Sequence, residues 1–320
     1  MLQLYQLQND RLVSVEGSGE PPADIAWIDL VHPTDEEEDH VERLLGIEIP
    51  TREEMAEIEI SSRLYRESDA LYMTASILLG ADTPAPQNHP VTFILMHGRL
   101  VTVRYSEPSA FRNFVRQAGK ADTDLKSADG IFVALMEAVI DRTADILEKV
   151  GVDMDAVSRG VFQAEDDNDV SKDFKAVLRR IGRNGDLNSK VRESLVSIGR
   201  LVNFLGAECG DRRPGLREYT ETMAADIRSL TDHSSYVAGT TVFLLDATLG
   251  LINIEQNAII KIVSVVSVLI MPPTLIASIY GMNFEVMPEL DWRIGYPLAL
   301  LAMVVAAIIP YGYFKRRGWL

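Results

Sequence analysis

A row of polar side chains follows one face of a largely apolar segment near the end of this sequence. Steps of three and four residues return to the same side of an α-helix. They connect Asp246, Asn253, Asn257, Ile260, Ser264, Ser267, Met271, Thr274 and Ser278. Within a lipid bilayer, hydroxyls and amides need a partner or water. The row therefore predicts either a helix-packing seam, which small and hydroxylated residues allow, or the wall of a water-filled path. The path is favoured, because the row continues to Asp246, further than a seam requires.

Two segments have the length and composition of membrane-spanning helices. Residues 259–283 contain a single charge, Lys261, and residues 295–314 contain none. At 1.5 Å per residue they extend roughly 37 Å and 30 Å, enough for the hydrocarbon core. Three consecutive basic residues at 315–317 follow the second segment, and basic residues are enriched on the cytosolic side. We therefore expect both termini in the cytosol, the loop 284–294 outside, and a basic cytosolic tail at 315–320.

The polar row needs several copies of the chain, because two helices cannot enclose a path for ions. Pro272 and Pro273 lie within the first span, where proline removes a helix donor, so nearby carbonyl oxygens can face water or an ion. The loop outside the membrane carries acidic residues that raise the local concentration of cations. These are Glu285, Glu289 and Asp291. The residues thus predict a homo-oligomeric membrane protein.

The first part of the chain, residues 1–125, combines strand and helix patterns and predicts an α+β domain. Thr34 with Glu37, and Thr51 with Glu54, have the spacing of capping boxes, before a helix that ends near residue 45 and another at 53–60. Apolar runs predict strands. They lie at 26–31, 71–79, 91–96 and 100–105, and the last two form a hairpin across residues 97–99.

Long helices replace the strands in residues 126–258. Amphipathic patterns predict helices at 128–161 and 171–205, separated by an acidic connection at 163–169. A third helix is predicted from Leu216 to Tyr280, carrying the polar row from the cytosolic part into the first span.

Composition excludes several functions for this chain. Of its 31 basic and 47 acidic residues, 5 and 3 lie in 259–320, so residues 1–258 carry a formal charge of −18. Nucleic-acid binding needs basic patches, so this balance argues against it, and it favours attraction of cations. Cys209 is the only cysteine, which excludes a disulfide framework. No nucleotide-binding loop or catalytic motif is recognisable, so we expect neither an enzyme nor a nucleotide or other cofactor.

The end of the first span carries the most specific motif. Gly281-Met282-Asn283 is followed by Met-Pro-Glu-Leu at 287–290. With these motifs the sequence resembles the CorA family of magnesium transporters. The resemblance covers the whole chain and is closest to the enterobacterial branch, through WIDL at 27–30, INIEQNAIIKIVSVVS at 252–267, MPPTL at 271–275, and YFKR and WL at the C-terminus.

The resemblance implies a homopentamer in the bacterial inner membrane, with long helices forming a cytosolic funnel and the first span lining the pore. It implies that Asn283, beside Gly281 and Met282, takes hydrated Mg²⁺ at the outer mouth. It also places Thr274, Met271 and Asn257 along the conduit, Asp246 near its cytosolic end, and Leu249 with Ile260 in a hydrophobic gate. Cytosolic Mg²⁺ closes such channels from acidic sites between subunits. Ser229 stands near where one such acid is expected, and Asp226 and Asp232 are the available substitutes.

Ion chemistry agrees with this expectation. Mg²⁺ gives up water reluctantly, and neutral amides accept hydrogen bonds from its waters without stripping them. A carboxylate ring would bind more tightly and slow release. Co²⁺ and Ni²⁺ are hydrated similarly and are also expected to pass.

Two alternatives stay open. The nearest is a transporter of the same architecture for Zn²⁺ or another transition metal. Such metals prefer His and Cys, which neither span nor the loop contains. The other alternative is a membrane-anchored enzyme or sensor, which would not need a polar row.

Overall fold

The structure is a computed structural model that describes residues 1–8, 11–15, 25–96, 98–118, 126–162, 173–209, 214–283 and 287–319. These residues form two compact units, Met1–Leu245 and Asp246–Leu320.

The first unit contains a seven-stranded mixed sheet. Its strands are β1 (Leu2–Gln8), β2 (Arg11–Val15), β3 (Ile25–Val31), β4 (Leu64–Glu67), β5 (Ala70–Leu79), β6 (Gln87–Met96) and β7 (Arg99–Arg104). The order across the sheet is β2-β1-β3-β7-β6-β5-β4. The central strands β3 and β7 are parallel, and every other neighbouring pair is antiparallel. The α+β fold class and the four predicted strands are confirmed, whereas β1, β2 and β4 were not predicted.

The predicted hairpin is confirmed by the pairing of β6 with β7, in which Met96 lies opposite Arg99. Gly98 has a φ of 77°, a left-handed conformation that glycine adopts without a Cβ penalty. His97 lies outside the described residues.

Three short helices connect β3 to β4. They are α1 (Asp35–Leu45), α2 (Arg52–Ala56) and α3 (Ile60–Arg63). Both predicted capping boxes are present, at Thr34 with Glu37 and at Thr51 with Glu54. The predicted helix at 53–60 is wrong beyond Ala56, because Glu57 is extended with a ψ of 147°. Glu57 is three and four residues from Glu54 and Glu53, and like charges at those spacings destabilise a helix.

Long helices complete the chain. They are α4 (Ser109–Ala118), α5 (Ala128–Phe162), α6 (Phe174–Cys209), α7 (Pro214–Tyr280) and α8 (Gly295–Arg316), with a 3₁₀ turn at Pro288–Asp291. The three long helices predicted within 128–280 are confirmed, and α4 was not predicted. The predicted acidic connection lies outside the described residues. The helix α7 begins in the first unit, continues into the second, and is not interrupted at Pro272 and Pro273.

The sheet of the first unit packs in a buried core against Val41 of α1 and Met55 of α2, and it also contacts the long helices α5 and α6. The β3 strand is buried along its whole length, and α6 is fixed to β5 by two hydrogen bonds. The Ser194 hydroxyl donates to the Ser76 carbonyl over 2.8 Å, and the Ser76 amide donates to Ser197 Oγ over 2.9 Å. The α7 helix joins α6 through Asn188, whose Nδ2 donates to the Ser234 carbonyl over 2.9 Å.

Candidate ion-conduction site

The polar row lies on α7 within the second unit. At 100° per residue, all its members fall within an arc of about 100° on the helix surface. Ser264 is half-buried in the single subunit, and the other members are exposed. Val265 is 2% exposed and lies about 100° further round from Ser264. The row is therefore on a different side of α7 from the buried position.

Two hydroxyls of the row have a defined orientation. Ser267 Oγ donates to the Val263 carbonyl, and Thr274 Oγ1 donates to the Ile270 carbonyl, each over 2.8 Å. Each bond uses the hydroxyl hydrogen and leaves the oxygen lone pairs directed away from the helix backbone. Water around a cation presents hydrogens, so these oxygens are suited to accept from a hydrated cation.

The two prolines add further acceptors on this helix. Pro272 and Pro273 have no N–H, so the carbonyls of Val268 and Leu269 receive no helical hydrogen bond from them. Met271, immediately before them, is 72% exposed and lies within the arc of the polar row.

The predicted mouth follows the last turn of α7 directly. The Gly281 amide donates to the Ala277 carbonyl over 3.0 Å, and the Met282 amide donates to the Ile279 carbonyl over 3.3 Å. Both bonds fasten the motif to the helix end and leave Asn283 exposed just beyond it. The side-chain amide of Asn283 is thus available to water at the end of the polar row.

Gly281 does not adopt a left-handed conformation, since its φ is not among the positive glycine values. Glycine instead permits a close approach. A Cβ at this position would lie 3.1 Å from the Ala277 carbonyl oxygen, a tight contact with fixed backbone.

The acidic loop is described in part. Asp291 ends the 3₁₀ turn and is exposed, whereas Glu285 and the side chain of Glu289 lie outside the described residues.

The residues predicted to form the gate are apolar and accessible. Leu249 is 45% exposed and Ile260 is 61% exposed, and both lie within the arc of the polar row. Apolar side chains at such positions can close a water-filled path by dewetting when several subunits bring them together.

The acids Asp226 and Asp232 are both exposed on α7. Asp226 faces two carboxylates of α5. The pKa of Glu137 is raised chiefly by burial and then by the carboxylates of Asp141 and Asp226. The pKa of Asp141 is likewise raised chiefly by burial and then by Asp145 and Asp226. The structure therefore brings Asp226 close enough to Glu137 and Asp141 of α5 to repel their charges.

Sequence reasoning missed Glu137 and Asp141. Their signal was present, because residues 137, 141 and 145 are acidic at steps of four and so lie on one face of the helix. Within one copy, no group of three or more His, Cys, Asp or Glu in the described residues is placed to hold a metal ion. The described histidines are accordingly not gathered into a transition-metal site.

Length and composition qualify two helices as membrane spans, α7 and α8. In each, only 6% of the most apolar window is buried within the single subunit.

Comparison with known proteins assigns the chain to a family. Residues 22–316 match the model described as "CorA-like Mg²⁺ transporter protein". The "Magnesium transport protein CorA" of Escherichia coli is 38% identical over 322 residues, and that of Yersinia pseudotuberculosis is 37% identical, each over 100% of both chains.

A solved structure agrees at the level of the fold. The complete structure of the CorA magnesium transporter from Methanocaldococcus jannaschii has a TM-score of 0.74 at 18% identity, covering 100% of this chain and 99% of that one. With a family model and full-length relatives both matching, the chain belongs to the CorA-like Mg²⁺ transporter family.

Proposed function

We propose that this protein is a homopentameric channel that admits hydrated Mg²⁺, and also Co²⁺ and Ni²⁺, across the bacterial inner membrane. The names of its full-length relatives support Mg²⁺ as the transported ion. Both termini lie in the cytosol, and no nucleotide, nucleic acid or cofactor takes part. This is transport rather than enzyme catalysis, as expected for a member of a transporter family.

The proposed domains follow the sequence boundaries. Residues 1–125 and 126–258 are cytosolic, 259–283 form the pore-lining span, 284–294 the external loop, 295–314 the second span and 315–320 the tail. The low burial of the apolar windows in α7 and α8 supports this division, because exposed apolar helices need lipid or other subunits to cover them.

One observation carries the proposal: the polar row supplies hydrogen-bond acceptors along α7 and ends at Asn283. The hydroxyls of Ser267 and Thr274 donate their hydrogens to backbone carbonyls of the same helix. Their free oxygens, and the amide oxygens of Asn257 and Asn253, can accept from a cation's water shell at successive depths. Such neutral contacts bind weakly enough for release, as conduction requires.

The driving force is the membrane potential. A divalent cation gains roughly 4.6 kcal/mol on moving inward through 100 mV, negative inside. That energy suffices for uptake without a nucleotide.

Gating combines an apolar constriction with cytosolic acids. In this proposal Ile260 and Leu249 form the constriction, and intracellular Mg²⁺ closes the channel by binding near Asp226, with Asp232 a further ligand. The raised pKa values of Glu137 and Asp141 support Asp226, because carboxylates that repel one another gain from a cation between them.

The test is Mg²⁺ influx into liposomes that contain the purified protein and a trapped indicator. Wild type should carry Mg²⁺ at low internal Mg²⁺, and Asn283→Ala should abolish that flux because the ring of amides at the mouth is lost. Asn203→Ala is the matched control, since Asn203 is an exposed asparagine on α6, and its flux should equal that of wild type.

Zinc entry with no Mg²⁺ entry at any internal Mg²⁺ concentration would replace the proposal by the transition-metal alternative. Equal flux in Asn283→Ala and wild type would remove Asn283 from the filter.

A further inference from the structure

The C-terminal end of α8 is folded back on itself by a Schellman motif. The Gly318 amide donates to the Lys315 carbonyl over 3.3 Å, and the Trp319 amide donates to the Phe314 carbonyl over 3.1 Å. Gly318 has a φ of 69°, the left-handed conformation that this motif requires of the residue after the helix cap. The last residues are thus held in a defined turn.

This turn brings Trp319 against both helices of the second unit. Its ring stacks on Phe314 at 5.4 Å, the apolar contact that usually accompanies a Schellman motif. The Lys261 ammonium, on α7, lies 6.0 Å from the centre of the Trp319 ring. A basic residue at the beginning of the first span is therefore next to the basic end of the second.

Four cations gather at this place: Lys261, Lys315, Arg316 and Arg317. Lys315 lies 5.9 Å from the ring of Tyr311, and the Arg317 guanidinium lies 5.6 Å from the ring of Tyr313. Aromatic faces attract cations but do not use up their N–H donors as an oxygen acceptor would.

No carboxylate of the described residues forms an ion pair with any of the four. This is unusual in a chain whose net charge is −16. The cluster consequently presents unused donors and uncompensated positive charge.

We propose that this cluster binds the phosphate headgroup of an anionic phospholipid in the cytosolic leaflet. The inference rests on the proposed function only in that α7 and α8 must cross the membrane. Lys261 and residues 315–317 then lie at the same boundary, where clusters of basic residues beside a span attract anionic lipid. Trp319 supplies the amphipathic ring that favours the headgroup level. A lipid is the expected source of the phosphate, because its acyl chains can cover the exposed apolar faces beside the cluster.

The expected loss of lipid affinity follows from the number of basic residues that are removed. Each basic residue near an anionic surface contributes about 1 kcal/mol, so removing one should lower the affinity for the lipid about fivefold. The folded turn adds a second requirement, because it holds the Trp319 ring beside Lys261.

Native mass spectrometry of the full chain in detergent tests the site, with phosphatidylglycerol and phosphatidylcholine of identical acyl chains as probes. Wild type should retain phosphatidylglycerol in preference. Arg316→Gln should lower that retention about fivefold. Arg293→Gln, which removes one exposed arginine from the external loop, should not lower it.

A second variant separates a built site from general attraction. Gly318→Ala keeps all four charges but places a Cβ on a residue with a φ of 69°. It should therefore weaken phosphatidylglycerol retention while leaving the oligomer mass unchanged.

Three results would overturn the proposal: equal retention of the two lipids by wild type, equal losses in Arg316→Gln and Arg293→Gln, or full retention in Gly318→Ala. Displacement of the lipid by millimolar inorganic phosphate would also overturn it, in favour of a soluble ligand. None of these measurements uses Mg²⁺ flux. The lipid-binding proposal can therefore be disproved while the channel proposal is supported, and the reverse.

Discussion

The two units of this protein differ in how far their large apolar side chains are exposed. In the first unit Trp27, Phe93 and Leu100 are 0% exposed. In the second unit Ile262 is 62% exposed and Leu301 is 60% exposed. The first unit covers its own core, whereas the second leaves large apolar side chains exposed, as a membrane-spanning segment does.

The two units also differ in the hydrogen-bond partners of their polar groups. In the first unit the buried carboxylate of Asp29 accepts from Thr102 over 2.6 Å and forms an ion pair with Arg104 at 2.8 Å. In the second unit the hydroxyls of Ser267 and Thr274 bond only to their own helix. Buried polar groups of the first unit are thus satisfied by partners distant in sequence, whereas the hydroxyl oxygens of Ser267 and Thr274 keep lone pairs free to accept from water.

The largest expected effect comes from breaking the buried ion pair of the first unit. Asp29→Ala leaves Arg104 charged and without its carboxylate, and losing one partner of a buried pair costs about 3–5 kcal/mol. Denaturant unfolding of the full chain should show this loss in the near-ultraviolet circular dichroism of Trp27, which stacks on Tyr5 at 4.5 Å.

Asp82→Ala is the matched control, because the exposed Asp82 pairs with Lys149 on the surface of α5. Exposed pairs contribute about 1 kcal/mol or less. The double variant Asp29→Ala/Arg104→Met should recover part of the lost stability. If Asp29→Ala and Asp82→Ala cost the same, the contrast between buried and exposed pairs is wrong.

The next effect tests which exposed face of α7 meets water. Ser267 and Val266 are neighbours at almost the same depth, but they lie about 100° apart on the helix. In a background without Cys209, a cysteine at 267 should react with a thiol reagent at low internal Mg²⁺. A cysteine at 266 should react roughly a hundredfold more slowly, because an apolar environment disfavours the thiolate that attacks the reagent.

Equal labelling at the two positions would mean that the row is a packing seam or that α7 is wet on all sides. Either result contradicts the pore assignment of Ser267, Ser264, Thr274 and Ser278. Labelling at 267 that disappears when internal Mg²⁺ is raised would support the gate at Ile260 and Leu249.

A smaller effect concerns the link between α6 and α7 in the first unit. Asn188 donates to the Ser234 carbonyl over 2.9 Å and accepts from the Ser234 hydroxyl over 3.0 Å. Asn188→Ala should cost about 1–3 kcal/mol, because it leaves buried polar groups without partners. Thermal unfolding and hydrogen exchange of residues around Ser234 measure this.

Asn203→Ala again serves as the control, as the same change at an exposed position of α6. Unchanged protection near Ser234 in Asn188→Ala would show that the two hydrogen bonds do not hold α7.

Local patterns explain what could be predicted of this fold. The strands β3, β5, β6 and β7 were predicted because continuous apolar runs mark buried strands. Strand β4 was not, because two of its four residues are charged and only its pairing with β5 makes it a strand. The pattern for α4 was present in Ala110, Phe111, Phe114 and Ala118, spaced as on one helix face.

For the candidate site, too, some features could be predicted from the sequence and others could not. A regular helix turns spacing into position, so the row from Asp246 to Ser278 could be predicted from helical periodicity. The pairing of Asp29 with Arg104 joins residues 75 positions apart, and the approach of Asp226 to α5 depends on which helices are neighbours. Neither follows from local sequence, because each is decided by tertiary packing.

The smallest expected effect is a pH dependence at the acids of α5. The pKa values of Glu137 and Asp141 are raised above their ordinary values of 4.5 and 3.8, chiefly by burial and then by nearby carboxylates. A raised pKa in the folded state means that the folded protein holds these protons more tightly than the unfolded chain. At neutral pH the two charges therefore oppose folding, and that opposition is relieved as the pH falls through the raised pKa values.

The double variant Glu137→Gln/Asp141→Asn should consequently be more stable than wild type at pH 7, by less than about 1 kcal/mol because both groups are largely solvated. The difference should shrink as the pH approaches the ordinary pKa values of the two carboxyl groups. Thermal unfolding from pH 7 to pH 4.5 measures this difference in stability.

Mg²⁺ relieves the same repulsion between carboxylates as a proton does, so millimolar Mg²⁺ should stabilise wild type more than the double variant. An equal response of both proteins to Mg²⁺ would separate the acids of α5 from the regulatory site proposed at Asp226, and would leave gating to residues elsewhere on α7.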